Sequence, residues 1–135
     1  MSFLLDTNIV SDLRRQSRSR AALLAWFTEQ APDALYLSVV TLGEIRQGIE
    51  QLRRRDAHRA HVLDHWLDDL ARLYADRVLP IDRHVADEWG RLRARRTLPV
   101  VDALLAATAR VHNLTLVTRN DKDFADLNVT ILNPR

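Results

Sequence analysis

The chain has 135 residues and no cysteine, which suffices for one domain with a sizeable core and excludes disulfides, thiolate metal sites and cysteine nucleophiles. Its formal net charge is only +2, and all of its 20 basic residues except Lys122 are arginine, so the overall charge is a weak indication of nucleic-acid binding. No apolar run approaches the roughly 20 residues of a membrane span, and the apolar start is too short for a secretory signal, so we expect a cytoplasmic protein without membrane contact.

Short apolar runs predict five strands, at Phe3–Leu5, Leu35–Val39, Val78–Ile81, Leu114–Val117 and Val129–Leu132. Because apolar and polar residues do not alternate in these runs, they are typical of parallel strands buried on both faces. Helical patterns separate them, at about residues 8–15, 19–31, 41–55, 57–75, 83–96 and 100–112. We therefore expect one α/β domain over residues 1–135, with a central parallel sheet flanked by helices.

Acidic residues follow the first two predicted strands. Asp6 comes directly after Leu5, and one interpretation is that it caps a helix beginning near Asn8. Glu44 lies in the helix predicted after the second strand, at the border of the apolar stripe of that helix. The stripe consists of Leu42, Ile45, Ile49 and Leu52.

Gly43 and Gly48 stand inside that same predicted helix. Each glycine costs a helix about 0.5–1 kcal/mol relative to alanine. We infer that something approaches the helix closely at these positions, and a neighbouring helix, a second subunit or a substrate backbone would each explain the pattern.

Three histidines, His58, His61 and His65, share one face of the next predicted helix. A metal site built from imidazoles is one interpretation of this spacing. The face points away from the apolar stripe of the helix and also carries Asp64 and Asp68, so we predict a solvated surface instead.

Arginines cluster in three segments of the chain. They can contact phosphates, because the planar guanidinium suits bidentate bonds, or they can simply solvate helix faces in a genome that favours arginine codons. The segments are Arg14, Arg15, Arg18 and Arg20, then Arg53, Arg54 and Arg55, then Arg91, Arg93, Arg95 and Arg96.

Asp102 is the only charged residue in the apolar stretch at residues 99–109, where an unpaired charge is costly. It falls in the first turn of a predicted helix, and taken alone it is best interpreted as a helix cap. Asp121 and Asp123 follow the fourth strand, where Asp121 could cap a turn leading to Phe124.

The topology predicts that these acidic positions converge. Functional groups of an open parallel sheet gather beyond the carboxyl ends of its strands, and that edge carries Asp6, Glu44, Asp102 and the pair Asp121/Asp123. Clustered carboxylates repel one another unless a cation sits among them, and oxygen ligands favour Mg²⁺ or Mn²⁺ over zinc. Metal-activated water at such a site hydrolyses phosphodiesters.

Three segments of the chain resemble the PIN domains of the VapC or FitB type, which are the toxin halves of bacterial toxin–antitoxin pairs. The resemblance runs from Phe3 to the end of the chain, with four motifs in the order and spacing of that family. The segments are LLDTNIVSDL (residues 4–13), TLGEIRQGIEQL (residues 41–52) and PVVDALLAATARVHNLTLVTRNDKDF (residues 99–124).

This resemblance implies a PIN-like fold, a Mg²⁺-dependent endoribonuclease activity and a set of site residues. Asp6, Glu44 and Asp102 match the first three acidic positions of the family, with Asp6 and Asp102 as the direct metal ligands. Asp123 matches the fourth position, although the neighbouring Asp121 is also acidic and leaves the choice open. Supporting roles follow for Thr7 and Thr118, which would orient carboxylates, and for Asn120.

The resemblance also implies partners: an RNA substrate, a homodimeric copy, an antitoxin protein, and operator DNA reached only through that antitoxin. Arg46 and Arg53 are candidates for contacting RNA phosphates or the antitoxin. Two alternatives stay open. One is a weakly catalytic or non-catalytic PIN partner in a DNA-binding complex of the FitAB kind. The other is a nuclease that cuts DNA, because the residues that would read the 2′-hydroxyl cannot be identified from the sequence.

Overall fold

The computed structural model describes residues 1–15 and 20–134, and within them five short strands form one sheet. Their bounds are β1 Phe3–Leu5, β2 Leu35–Ser38, β3 Val78–Leu79, β4 Thr115–Val117 and β5 Ile131–Leu132. The strand order is β3-β2-β1-β4-β5, and every neighbouring pair is parallel. The predicted α/β architecture with a central parallel sheet is therefore confirmed.

Helices connect the strands in the predicted order. Their bounds are α1 Thr7–Arg14, α2 Arg20–Glu29, α3 Val39–Arg53, α4 Ala57–Leu73, α5 Arg83–Arg95 and α6 Val100–Val111. Two short 3-10 turns lie at Pro32–Ala34 and Asp121–Phe124. Residue 19, where we predicted the second helix to begin, and Arg18 of the first arginine segment lie outside the described residues.

The two faces of the sheet bury separate apolar cores. Phe3 and Leu5 of β1 belong to a core formed with α1 to α4, whereas Leu4 belongs to a core formed with α5 and α6. This division follows from the alternation of side chains along a strand. Leu4 and Leu5 are 0% and 1% exposed, so β1 is buried on both faces, as its unbroken apolar sequence predicted.

Predicted and observed element ends differ by one or two residues at several positions, and at two kinds of position the physical reason is plain. The outer strands β3 and β5 have two residues each instead of the predicted four, because each pairs on one side only. The helix α3 begins at Val39, which we assigned to the strand. The reason is the Ser38 hydroxyl, which accepts a hydrogen bond from the Val40 N–H at 3.1 Å and so caps the helix.

The strand order determines where the carboxyl ends of the strands meet. β1 lies in the middle of the sheet and pairs in register with both β2 and β4, so the segments that follow these three strands are neighbours. Asp6 follows β1, α3 with Glu44 follows β2, and Thr118 follows β4. The fold therefore brings Asp6, Glu44 and the segment after β4 to one edge.

Two other predictions concern surfaces. His58, His61 and His65 are exposed, as predicted for a solvated face. A methyl group added at Gly43 or Gly48 would meet no atom within 4 Å, so packing against a neighbouring helix of the described chain does not explain these glycines. In residues 1–15 and 20–134, no helix has the length and apolar character needed to cross a bilayer.

Candidate active site

Asp6 is a buried carboxylate between the centre of the sheet and the start of α1, with a relative exposure of 5%. Its Oδ1 accepts a hydrogen bond from the Thr7 N–H at 2.7 Å, so Asp6 does cap α1 as the first interpretation held. Its Oδ2 accepts two more bonds, from the Thr118 hydroxyl at 2.7 Å and the Asn8 amide at 3.1 Å. Burial raises the pKa of Asp6, the three hydrogen bonds oppose that increase, and the charge of Glu44 adds to it.

Thr7 connects Asp6 to Glu44. While its backbone N–H donates to Asp6, its hydroxyl lies 2.5 Å from Glu44 Oε1 and 3.2 Å from the Thr41 hydroxyl. Glu44 is half-buried on the second turn of α3, which confirms that it borders the core without entering it. A single threonine therefore holds side chains from two adjacent strand ends together.

Asp102 does not act as a helix cap, so the interpretation preferred for this residue taken alone is wrong. Pro99 is the N-cap residue of α6, and no side chain makes a capping hydrogen bond there. Asp102 is half-buried, and its pKa is raised first by burial and then by the charges of Asp6, Asp123 and Glu44. The charges of the other three predicted carboxylates therefore reach Asp102, as their convergence requires.

The segment after β4 supports the site through its backbone. The Asn120 N–H donates to the Thr118 hydroxyl at 3.0 Å, and that hydroxyl in turn donates to Asp6. Asn120, and not Asp121, is the N-cap residue of the following 3-10 turn, where no side-chain capping bond forms. Asp123 is exposed and contributes to the raised pKa of Asp102, which favours Asp123 as the fourth carboxylate, although its assignment stays a prediction.

The donor set fits a hydrated hard cation better than a closed metal cage. In the described residues, no group of three or more His, Cys, Asp or Glu side chains is arranged to hold an ion. Mg²⁺ needs fewer protein ligands, because it commonly keeps several waters and uses one or two carboxylates together with substrate phosphate. The buried Oδ1 of Asn8, beside Asp6, has no hydrogen-bond partner in the described chain, so an oxygen is available there to a water.

An ion pair that the sequence reasoning missed joins the two sides of the site. Arg119 Nε lies 2.6 Å from Asp12 Oδ2, and both side chains are about four-fifths buried, at 23% and 21% exposure. The pair links α1 to the segment after β4, and the Asn133 amide donates to the Arg119 carbonyl at 3.2 Å. The available signal was the position of Arg119 between Thr118 and Asn120.

Arg46 and Arg53 are engaged elsewhere. Both guanidinium groups bond to Asp64 on α4 at 2.7 Å, and both also pair with Glu50. These bonds lower the pKa of Asp64 to about 2, with Arg53 as the larger cause. The two arginines thus tie α3 to α4, and their contact with RNA or a partner protein stays a prediction.

Comparisons with known proteins agree with this geometry. The family model described as PIN domain matches residues 3–129. The chain is 33% identical to Toxin FitB of Neisseria gonorrhoeae, covering 97% of this chain and 96% of that protein, and 32% identical to VapC ribonuclease Y4jK of Sinorhizobium fredii with the same coverage. It also resembles a solved structure of FitAB bound to an IR36 DNA fragment, with a TM-score of 0.87, 29% identity and coverage of 98% of this chain and 94% of the other.

Because the pKa of Asp102 is raised, the free energy of unfolding of the metal-free protein depends on pH through this group. The protonated form contributes stability that is present below the ordinary aspartate pKa of about 4 and is lost as pH rises through the raised value. Asparagine does not ionise. We expect Asp102→Asn to gain in free energy of unfolding relative to the wild type as pH increases from 4 to 7, measured by urea unfolding in EDTA.

The control for this measurement is Asp33→Asn, which removes an exposed carboxylate in the turn before β2. Its difference from the wild type should change less over the same pH range. A difference for Asp102→Asn that shrinks with rising pH would contradict the raised pKa of Asp102.

The Asp12–Arg119 pair is expected to contribute to stability because both partners are mostly buried. Arg119→Gln or Asp12→Asn should lower the free energy of unfolding by about 1–2 kcal/mol, since each removes a hydrogen-bonded ion pair whose two side chains are mostly buried. Arg72→Gln, which breaks an exposed pair with Asp69, should have little effect. If the double variant loses the sum of the two single losses, the pair has no coupling energy and this interpretation fails.

Proposed function

Because the chain belongs to the PIN-domain family, we propose that it is a Mg²⁺-dependent endoribonuclease, the toxin component of a toxin–antitoxin system of the VapBC or FitAB kind. The observation that carries this proposal is the gathering of carboxylates at the carboxyl edge of the sheet, where Thr7 bonds to both Asp6 and Glu44 and where burial and the charges of Asp6, Asp123 and Glu44 raise the pKa of Asp102. Like charges gathered in this way need a cation. The names of two relatives, a toxin and a VapC ribonuclease, support the same activity.

In this proposal Asp6 and Asp102 would hold the metal, Mg²⁺ or Mn²⁺, which when bound supplies an activated water and stabilises negative charge on the phosphate. Thr118 and Thr7 fix both carboxylate oxygens of Asp6 by hydrogen bonds, so the side chain needs no reorganisation before reaction. Thr7 also holds Glu44, which would accept a proton from the attacking water together with Asp123.

The proposed partners follow from the same family membership. We propose an antitoxin protein that inhibits the enzyme in the cytoplasm, operator DNA bound only through that antitoxin, and a homodimer. Val39 and Val100 are exposed valines, at 39% and 49%, in the first turns of α3 and α6. Both turns lie at the carboxyl edge of the sheet, where a second copy would cover them.

The test of catalysis is RNA cleavage by the purified protein. We expect cleavage with Mg²⁺ and none with EDTA, and a loss of at least about a hundredfold in Asp6→Asn and in Asp102→Asn, because a metal ligand is removed. The matched control Asp33→Asn should cut at the wild-type rate. Wild-type activity of Asp102→Asn in a folded sample would refute the assignment, and parallel digestion of single-stranded DNA distinguishes an RNA-specific enzyme from a general nuclease.

A second candidate function is a non-catalytic partner in a DNA-binding complex, and the likeness to FitAB bound to DNA is the observation that favours it. Our proposal predicts that the chain alone gives no specific shift of its own promoter DNA, and that adding the antitoxin produces one. Specific DNA binding by the chain alone, together with intact RNA in Mg²⁺, would favour the second candidate.

A further inference from the structure

A groove of about 410 Å³ runs between α1, α3 and α4, and it carries a distinct set of charges. Four arginines line it. Arg14 and Arg15 lie at the end of α1, Arg55 lies just before α4, and Arg59 lies in the first turn of α4. Its apolar lining comes from Ile45, Ile49, Leu52, Leu63 and Trp66. We call this the arginine groove.

The arginines of this groove differ from most others in the described chain. Arg46, Arg53 and Arg119 are neutralised by carboxylates within 3 Å. None of the four groove arginines forms an ion pair with a carboxylate of residues 1–15 or 20–134. The groove is therefore a site of unneutralised positive charge.

The positive groups also lie close to one another. Arg14 is half-buried, with its guanidinium 5.4 Å from the centre of the Trp66 ring. Its pKa is lowered by burial and by the charges of Arg15 and Arg59. Gathering like charges in this way is unfavourable in the free protein, and a bound anion would relieve the repulsion.

The arginine groove is continuous with the candidate active site. Thr7 and Glu44 are both among the residues that line the groove. The Thr7 hydroxyl bonds to Glu44, and the Thr7 N–H bonds to Asp6. The four carboxylates repel the phosphates of an approaching nucleic acid. The adjoining arginines supply the attraction that brings a polyanion to this edge.

We propose that the arginine groove binds the backbone phosphates of single-stranded RNA on one side of the cleaved bond, through Arg14, Arg15, Arg55 and Arg59. This inference rests on the proposed ribonuclease function. Guanidinium groups suit phosphate because they offer parallel N–H donors. Gly48 also lines the groove with open space above it, which lets a sugar–phosphate backbone approach α3 closely.

RNA fits the groove better than an acidic peptide. Glu44 lines the groove beside the acidic cluster, which repels carboxylates and phosphates alike. A phosphodiester at the same place is the group on which the proposed hydrolysis acts. An acidic peptide is therefore the competing occupant that the experiment has to exclude.

The experiment measures binding of a fluorescent 12-nucleotide single-stranded RNA to the full chain in EDTA, by anisotropy at several salt concentrations. We expect Arg55→Gln/Arg59→Gln to weaken RNA binding about tenfold or more and to reduce the slope of log affinity against log salt by about 1.4, because two phosphate contacts are lost. Both residues are exposed, so the variant should fold.

The matched control is Arg54→Gln/Arg83→Gln, which removes the same charge from exposed arginines that do not line the groove. It should retain nearly wild-type RNA affinity. Equal weakening in both double variants would mean that only net charge matters, and it would overturn the proposal.

A polyglutamate peptide of equal charge serves as the second probe. If the groove variant loses polyglutamate binding and keeps RNA binding, the occupant is an acidic peptide and the RNA proposal is wrong. Because binding is measured in EDTA, a protein that holds RNA in the groove and cuts none with Mg²⁺ would refute the proposed function while sustaining this inference.

Discussion

The site depends on the burial of one carboxylate, Asp6, at the end of the central strand. An ionised group with 5% exposure is unfavourable unless hydrogen-bonded, and the surrounding chain provides three donors from two segments far apart in sequence. Thr118 can reach Asp6 only because β4 pairs with β1, and Thr7 can reach Glu44 only because β2 pairs on the other side. The parallel order of the sheet is thus a requirement of the site's chemistry.

Positive and negative side chains of this protein are concentrated in different places. The net charge of +2 conceals an acidic edge around Asp102 and, next to it, a groove whose four arginines have no carboxylate partners in the described chain. Elsewhere the two signs neutralise each other locally, as where Asp64 pairs with two arginines. An average over the domain therefore hides the information that nucleic-acid binding requires.

The sequence predicted the role of a residue where that role follows from its position after a strand, and failed where the role depends on side-chain packing. The positions after β1, β2 and β4 predicted the acidic edge, because parallel strands end together. Asp102 alone indicated a cap, but in the structure Pro99 is the N-cap residue of α6 and no side chain makes a capping bond there. In the structure, Arg46 of α3 pairs with Asp64 of α4, whereas Arg59 lines the groove. The spacing of the arginines could not predict these different roles, because both residues lie on helical segments that the sequence pattern predicts to be exposed.

Gly43 and Gly48 lie inside α3, where glycine is unfavourable. Each weakens the helix by about 0.5–1 kcal/mol, and neither is explained by packing, since a methyl group would fit at both. Of the three explanations the sequence left open, contact with another helix of the described chain is removed. Gly48 lines the arginine groove and Gly43 precedes Glu44 at the acidic edge. The helix therefore has lower intrinsic stability at two positions beside which a substrate backbone or a second subunit has room to approach.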